Sequence, residues 1–237
     1  VLDRLTNFSM DNKMIISCTK GINENPFMTM SETIEKHFNN SSIKVGVLSG
    51  PNLAKEIADE KVAGTVIASK HADLCHQARE ILSSSTFKIY TSDDIKGIEL
   101  AGALKNIYAI ISGYCHSLDV GENAIGLILT RSMAEMSNFA VHKGANPITF
   151  LGLAGMGDLV ATCFSKLSRN YQFGWAIGKG LDIEAAKYKV GQVAEGLNTI
   201  RIIHNEISSS EIKMPLVSGM HEILFNSGSK ELLLEQI

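Results

Sequence analysis

Lys105 is the residue whose type and position most strongly indicate chemistry, because it is the only charged residue between Leu100 and Tyr114. The apolar run around it predicts a helix, and an ammonium group inside such a helix costs free energy unless it finds polar partners or water. One face of this helix carries small residues at positions i−4, i−3, i+4 and i+7 from the lysine, where a flat ligand could lie close to the backbone. The alternative is that the Lys105 stem extends to the surface and that the small face packs against another helix. The small residues are Ala101, Gly102, Ala109 and Ser112.

A glycine-rich segment, GLAGMGD at residues 152–158, is the second feature that could bind a ligand, and SRN follows it at residues 168–170. Three glycines within six residues allow the backbone to approach a ligand closely. The segment is not the dinucleotide fingerprint, because Val160 stands where the third glycine would fall and no strand precedes it. The arginine and asparagine of SRN offer a planar guanidinium and an amide, which suit a phosphate group. The alternative is an ordinary turn between helices with a solvated arginine.

Other charged residues give weaker signals. Lys20, after the first apolar run, and Glu195, in GQVAEG at residues 191–196, would each more often be a solvated charge. The seven histidines show no spacing typical of a metal site or a catalytic triad, so no metal is expected.

Composition limits the class of protein. With 237 residues, 45% of them hydrophobic, the chain can bury a substantial core. A net charge of −3 argues against a general nucleic-acid binder but allows a small anionic substrate. No apolar run reaches the roughly 18 residues of a membrane span. The four cysteines lack CxxC spacing and indicate a reducing compartment, so a cytoplasmic location is expected.

The order of the sequence patterns predicts the architecture. Short β-branched runs alternate with helical stretches up to residue 93, and helical patterns alone follow. This order predicts an α/β fold, in which a partial Rossmann-like, mostly parallel sheet in residues 1–93 precedes an all-α domain in residues 94–237. Asp93 and Asp94 are predicted to cap a long helix from Ile95 to about Leu118. The predicted strands cover residues 13–18, 44–48, 64–68 and 87–90. The other predicted helices cover residues 29–39, 53–59, 72–82, 123–144, 171–179, 182–188, 193–207 and 215–225, and a further helix is expected to start at residue 146 or 147 and to include residues 148–153.

Seven short segments follow one another along the chain: SCTKG (17–21), LSGPNLAKE (48–56), GALKN (102–106), RSMAE (131–135), GLAGMGD (152–158), SRN (168–170) and GQVAEG (191–196). In this order and spacing they are similar to the signatures of bacterial-type NAD(P)-dependent glycerol-3-phosphate dehydrogenases. Each segment alone is a weak signal, but their order makes the resemblance specific, and it covers essentially the whole chain. The resemblance implies a Rossmann-like domain and a helical substrate domain with the site between them. It also implies reduction of dihydroxyacetone phosphate to sn-glycerol 3-phosphate, a phospholipid precursor, by NADH or NADPH.

The resemblance also implies roles for individual residues. Lys105 matches the catalytic lysine of the family, whose ammonium protonates the oxygen that becomes negative as hydride attacks the ketone. The reverse reaction needs the neutral amine as a base. Its rate is therefore expected to rise at higher pH, because an ordinary lysine titrates at about 10.4. Asn52 departs from the Thr or Ser common in bacterial members, but it keeps a donor and an acceptor. The residues matching substrate contacts are Lys20, Gly50, Asn52, Lys105, Asp158, Ser168, Arg169 and Asn170. Those matching cofactor contacts are Lys20, Ala54, Arg169, Val193 and Glu195.

The glycine-rich phosphate-binding turn with which the family opens has no counterpart before residue 19. We therefore expect a truncated chain with weakened cofactor binding and an open sheet edge, and its first residue, Val1, fits that expectation. The choice between NAD and NADP stays open, because it is made largely at the end of the second strand of a Rossmann half, which also has no counterpart here. One alternative to an active enzyme is a catalytically silent fragment that only folds, binds or forms a homodimer. Another is a related 3-hydroxyacid or 6-phosphogluconate-type dehydrogenase, against which the SRN and GLAGMGD segments argue.

Overall fold

The computed structural model of the chain describes residues 1–39, 42–191 and 194–236. Helices and strands alternate up to residue 92, as the sequence patterns predict. The strands in this part are β1 (Met14–Ser17), β2 (Ile22–Asn23), β3 (Met28–Thr29), β4 (Lys44–Ser49), β5 (Ala63–Ser69) and β6 (Phe87–Ser92). The helices in this part are α1 (Leu2–Leu5), α2 (Met30–His37), α3 (Ala54–Ala58) and α4 (Ala72–Leu82).

The main sheet has the strand order β1-β4-β5-β6. The pairs β1/β4 and β5/β6 are parallel, which confirms a mostly parallel sheet, but β4 and β5 are antiparallel. A parallel connection needs a crossover, usually a helix that packs across the sheet. The eleven-residue α4 provides one between β5 and β6, whereas the connection from β4 to β5 carries only the five-residue α3. The start of β5 therefore lies beside the carboxyl end of β4, where Val66 pairs with Ser49.

The short β2/β3 hairpin has no counterpart in the predicted elements. Each of its strands is two residues long, which is too short to show an alternating pattern.

Helix α5 (Ile95–Ser117) is the centre of the helical part. Asp94 caps it as predicted, since its side chain accepts a hydrogen bond from the Gly97 N–H at 2.9 Å. The C-terminal half of α5 packs tightly against helix α8 (Arg169–Gly178). A Cβ on Gly113 would lie 2.0 Å from the Tyr171 carbonyl oxygen, and one on Gly174 would lie 1.9 Å from the Ile110 carbonyl oxygen. These two glycines allow the helix backbones to touch, so they fix α8 against α5.

The remaining helices surround α5. The predicted helix that starts near residue 147 is interrupted: a 3-10 turn covers Pro147–Leu151, and a π-helical turn covers Leu153–Gly157. The break at Gly152 matters for the site, because the chain then enters the next α-helix at Asp158. No helix of the described residues has the length and apolarity needed to cross a bilayer. The division of the chain into domains at residues 93 and 94 stays a prediction. The remaining helices are α6 (Glu122–His142), α7 (Asp158–Phe164), α9 (Ile183–Val190), α10 (Glu195–Ser208), α11 (Pro215–Phe225) and α12 (Lys230–Leu234).

Candidate functional site

A cleft of about 790 Å³ lies where the carboxyl ends of β1 and β4 meet the helical part. The loops after these strands supply one wall, as expected for an open α/β sheet. Helices α5, α7, α8 and α10 and the last residue of α9 supply the other walls. The lining residues are Cys18, Thr19, Lys20, Asn52, Leu53, Ala54, Lys55, Lys105, Asn106, Thr162, Leu167, Ser168, Arg169, Asn170, Gln172, Val190 and Glu195.

Lys105 reaches this cleft from the middle of α5 and is only 6% exposed. Its Nζ donates to Asp158 Oδ1 at 2.5 Å and to Thr162 Oγ1 at 2.7 Å. Since the ammonium is held inside the protein by these acceptors, the interpretation that Lys105 extends to the surface is wrong.

The small-residue face of α5 is buried by the chain itself rather than open to a flat ligand. A Cβ on Gly102 would lie 2.5 Å from Ser49 Oγ, and the Ser112 hydroxyl donates to the Cys163 carbonyl at 2.9 Å. The expectation that a ligand lies along this face is therefore wrong. The small residues instead let β4 and α7 approach α5, and this packing holds the acceptors around Lys105.

Asp158 is shared by two lysines and is only 1% exposed. Its Oδ2 accepts from Lys20 Nζ at 2.8 Å, while its Oδ1 accepts from Lys105. Lys20 Nζ also donates to the Gly50 carbonyl oxygen at 3.2 Å. One carboxylate thus joins the loop after β1 to the middle of α5. The break before α7 positions it, because Asp158 is the first residue of that helix.

Burial lowers the pKa of Lys105 to about 8. The negative charge of Asp158 opposes this effect, and the positive charge of Lys20 adds to it. The pKa is thus well below that of an ordinary lysine, on which the expected pH dependence was based. A proton donor with a pKa near the working pH is well suited to general acid catalysis.

The beginning of α8 forms the other end of the cleft. Ser168 caps this helix by accepting from the Tyr171 N–H at 3.3 Å, and Arg169 is exposed at the first helical position. Asn170 is buried, and its Oδ1 accepts from the Gly196 N–H at 3.0 Å, which ties α8 to α10. The N–H groups and the dipole at a helix N-terminus favour an anion there. This end of the cleft therefore suits a phosphate group.

Most residues that the resemblance singled out are brought together here. Gly50 and Asp158 are absent from the lining but contact Lys20, which is part of it. Val193 lies outside the described residues. The predicted residues that line the cleft are Lys20, Asn52, Ala54, Lys105, Ser168, Arg169, Asn170 and Glu195.

Asn106 and Thr162 also line the cleft, although neither was assigned a role from the sequence. Asn106 is 4% exposed, and its Nδ2 has no hydrogen-bond partner in the described part of the chain. Asn52 Oδ1 is likewise buried without a partner there. Buried polar atoms are nearly always paired, so these two atoms in one cleft indicate a polar ligand. Thr162 carried a weak sequence signal, since it stands one helical turn after Asp158.

The histidines remain outside this cleft. Within the described residues, ligand atoms of His204, His221 and Glu222 lie within 4.8 Å of one another. The two imidazole rings stack face to face, with centroids 3.7 Å apart and an interplanar angle of 4°. Nitrogen lone pairs lie in the ring planes, so parallel rings do not aim them at one ion. This arrangement supports no metal assignment.

Comparison with known proteins identifies relatives across nearly the whole chain. Residues 94–235 match the family model described as NAD-dependent glycerol-3-phosphate dehydrogenase C-terminus, and residues 1–75 match the corresponding N-terminus model. A Pseudomonas syringae pv. tomato protein named glycerol-3-phosphate dehydrogenase (NAD(P)+) is 48% identical over 228 residues, which are 96% of this chain and 66% of that protein. A Pseudomonas putida protein of the same name is 48% identical over 225 residues, 95% of this chain and 65% of that protein.

A solved structure agrees with these matches. The crystal structure of glycerol-3-phosphate dehydrogenase from Coxiella burnetii superimposes with a TM-score of 0.91 at 32% identity, over 99% of this chain and 71% of that one. The predicted fold class, a Rossmann-like sheet followed by a helical part, is confirmed. The chain spans slightly less than two thirds of the length of the Pseudomonas relatives.

Proposed function

We propose, from the premise that this chain belongs to the NAD-dependent glycerol-3-phosphate dehydrogenase family, that its cleft interconverts dihydroxyacetone phosphate and sn-glycerol 3-phosphate with an NAD(P) cofactor. The observation that carries the proposal is a buried lysine, Lys105, held by Asp158 and Thr162 in a cleft whose other end suits a phosphate. Reduction of a ketone needs a hydride at carbon and a proton at oxygen. A phosphorylated ketone needs a cationic anchor for its other end.

Lys105 is the proposed proton donor. Its ammonium is desolvated and aimed by fixed acceptors, so it can transfer a proton to the ketone oxygen as negative charge develops there. In the oxidative direction the neutral amine removes the proton from the hydroxyl group. The carboxylate of Asp158 orients both lysines and stabilises their positive charge. A pKa of about 8 leaves Lys105 able to serve in either direction near neutral pH.

The phosphate group of the substrate is proposed to bind at the beginning of α8. Arg169 supplies a guanidinium that can make two parallel hydrogen bonds to phosphate oxygens, and Asn170 and Ser168 flank it. Lys20, Gly50 and Asn52 complete the contacts from the loops after β1 and β4. The unpartnered Oδ1 of Asn52 and Nδ2 of Asn106 suit the hydroxyl and carbonyl oxygens of a three-carbon substrate.

The residues at the cleft fit a nicotinamide cofactor beside this substrate. Ala54 and Glu195 line the cleft at the carboxyl side of the sheet, which is the usual position for such cofactors. Together with Lys20, Arg169 and Val193, they would hold the nicotinamide end. When bound, the reduced cofactor supplies the hydride.

The physiological role is proposed to be the supply of glycerol 3-phosphate for phospholipid synthesis. A cytoplasmic location accords with the four cysteines, all of which are free thiols. A homodimer stays a prediction.

Two measurements test the proposal. In the first, dihydroxyacetone phosphate is titrated into this chain and heat is recorded. In the second, the chain is joined to the segment of the Pseudomonas syringae relative that it does not match, and the absorbance of NADH or NADPH is followed in this extended enzyme. We expect binding in the first case and substrate-dependent oxidation of the cofactor in the second. Binding without turnover in the extended enzyme would favour the silent-fragment alternative, and the lack of both would contradict the proposal.

A further inference from the structure

Asn52 is a substrate contact in the proposed function, and it lies in the loop between β4 and α3. This loop follows β4 and ends where α3 begins at Ala54. The side chain of Asn52 uses one end of its amide inside the protein, since its Nδ2 bonds to Thr65 Oγ1 at 2.8 Å. Its other end, Oδ1, is buried without a partner in the described residues. One end of the amide is therefore anchored and the other is left for a ligand.

Thr65 provides a rigid anchor. It is fully buried (0% exposed) in β5 and is paired in register with Ile89 of β6. A β-branched side chain in a strand has a restricted rotamer, so its hydroxyl group has a fixed position. The antiparallel turn back from β4 to β5 places this third residue of β5 beneath the loop.

Thr65 also supports the backbone at the start of the same loop. A Cβ on Gly50 would lie 3.0 Å from Thr65 Cα and 3.2 Å from Thr65 Oγ1. The Gly50 carbonyl accepts from Lys20, which binds Asp158, which in turn binds Lys105. The side chain of Thr65 thus lies beside Gly50, whose carbonyl oxygen accepts from Lys20, and it accepts a hydrogen bond from the amide of Asn52.

We propose that Thr65 is a positioning residue for the reductase site, and that its hydroxyl group holds the Asn52 amide in the orientation in which Oδ1 accepts a hydrogen bond from the substrate hydroxyl group. This proposal rests on the proposed function. Thr65 lies behind Asn52, is absent from the lining of the cleft and acts only through its neighbour.

A double-mutant cycle tests the proposal. Thr65→Val keeps the shape and removes the hydroxyl, and we expect it to weaken dihydroxyacetone phosphate binding to this chain about three- to tenfold, the range of one net hydrogen bond. In the extended enzyme the same change is expected to raise KM more than it lowers kcat. Thr65→Ser, which keeps the hydroxyl, should restore binding to within about twofold. In an Asn52→Ala background, Thr65→Val should have almost no further effect, because the two residues act as one unit.

Ser69→Ala is the matched control. Ser69 lies at the other end of β5, is also buried, and donates to the Val45 carbonyl at 2.7 Å. Its loss should lower thermal stability without changing substrate affinity. If Thr65→Val does not fold, Thr65→Ala replaces it in the cycle.

Two outcomes would overturn the proposal. One is unchanged affinity in the Thr65 variant, and the other is an equal loss of affinity with and without Asn52. Failure of the proposed function looks different, since the unmodified chain would then bind no dihydroxyacetone phosphate at all.

Discussion

Two carboxylates, Asp158 and Glu135, lie almost fully buried beside α5, at 1% and 6% exposure, yet their partners differ in kind. Asp158 is bound by two ammonium groups. Glu135 is bound by neutral donors: the Tyr108 hydroxyl donates to Oε2 at 3.0 Å, and the Leu216 N–H at the start of α11 donates to Oε1 at 2.8 Å.

Because their partners differ, the two carboxylates differ in which pKa they affect. Burial raises the pKa of Glu135 to about 7, against the hydrogen bonds that favour its charged form. Asp158 instead acts on its partners, since its charge keeps the pKa of Lys105 from falling further. A buried acid among cations can tune chemistry, whereas one among neutral donors mainly joins helices. The RSMAE segment, which the resemblance singled out without a role, therefore has an architectural explanation in Glu135.

The largest effect on turnover is expected when Lys105, a cationic partner of Asp158, is replaced. Lys105→Met should lower kcat of the extended enzyme by about 10²–10⁴-fold, because the proton donor is lost. Binding of dihydroxyacetone phosphate to this chain should change much less. Lys96→Met is the control on the same helix, since Lys96 only pairs with Glu32 at 2.7 Å near the surface. A fall in kcat of less than tenfold would mean that Lys105 is not the acid.

Removing the shared carboxylate should have the next largest effect. Asp158→Asn leaves the two ammonium groups without a counter-charge, so we expect a loss of about 3 kcal/mol in the free energy of unfolding by urea. The pKa of Lys105 should also fall below 8. The same substitution at Asp73, whose partner Lys44 lies at the surface, should cost much less, because solvent screens an exposed pair. Similar losses of unfolding free energy in the Asp158 and Asp73 variants would contradict the larger role given to the buried carboxylate.

Glu135→Gln should change the pH dependence of the free energy of unfolding rather than turnover. The pKa of Glu135 rises from 4.5 to about 7 on folding, so the folded state binds its proton more tightly than the unfolded state. This contribution to stability is present below pH 4.5 and is lost as pH rises through 7, with an upper limit of about 3 kcal/mol. The glutamine variant should lack this loss in urea unfolding between pH 5 and pH 8, while kcat stays within about threefold. An unchanged pH dependence would show that Glu135 is not the group responsible.

Local patterns in the sequence were sufficient for much of the fold. The helices Ala72–Leu82 and Pro215–Phe225 begin and end where their patterns predicted, because amphipathic periodicity and a proline at the first helical position are local features. The direction of β5 was not predictable, since it depends on how the connection with α3 packs. The break at Gly152 was missed for a similar reason. A Cβ on Gly155 would lie 2.3 Å from the Phe150 carbonyl oxygen, a contact that periodicity does not encode.

Less of the site than of the fold could be predicted from local patterns. The isolation of Lys105 in an apolar helix pointed to it directly, while most other site residues came from the family resemblance. Asn106 and Thr162, which line the cleft, were not predicted from the sequence, nor was Thr65, which is proposed to position Asn52. Each of them is identified by a buried polar atom. Whether that atom has a hydrogen-bond partner is decided only when distant segments pack together.

The most direct test of Lys105 as the proton donor is the pH dependence of kcat/KM in the extended enzyme, measured in both directions, because this ratio reports the pKa of groups in the free enzyme. With a pKa of about 8 for Lys105, ketone reduction should decline above pH 8, and alcohol oxidation should rise through the same value. Ketone reduction that stays constant up to pH 10 would contradict a buried, desolvated Lys105 as the proton donor.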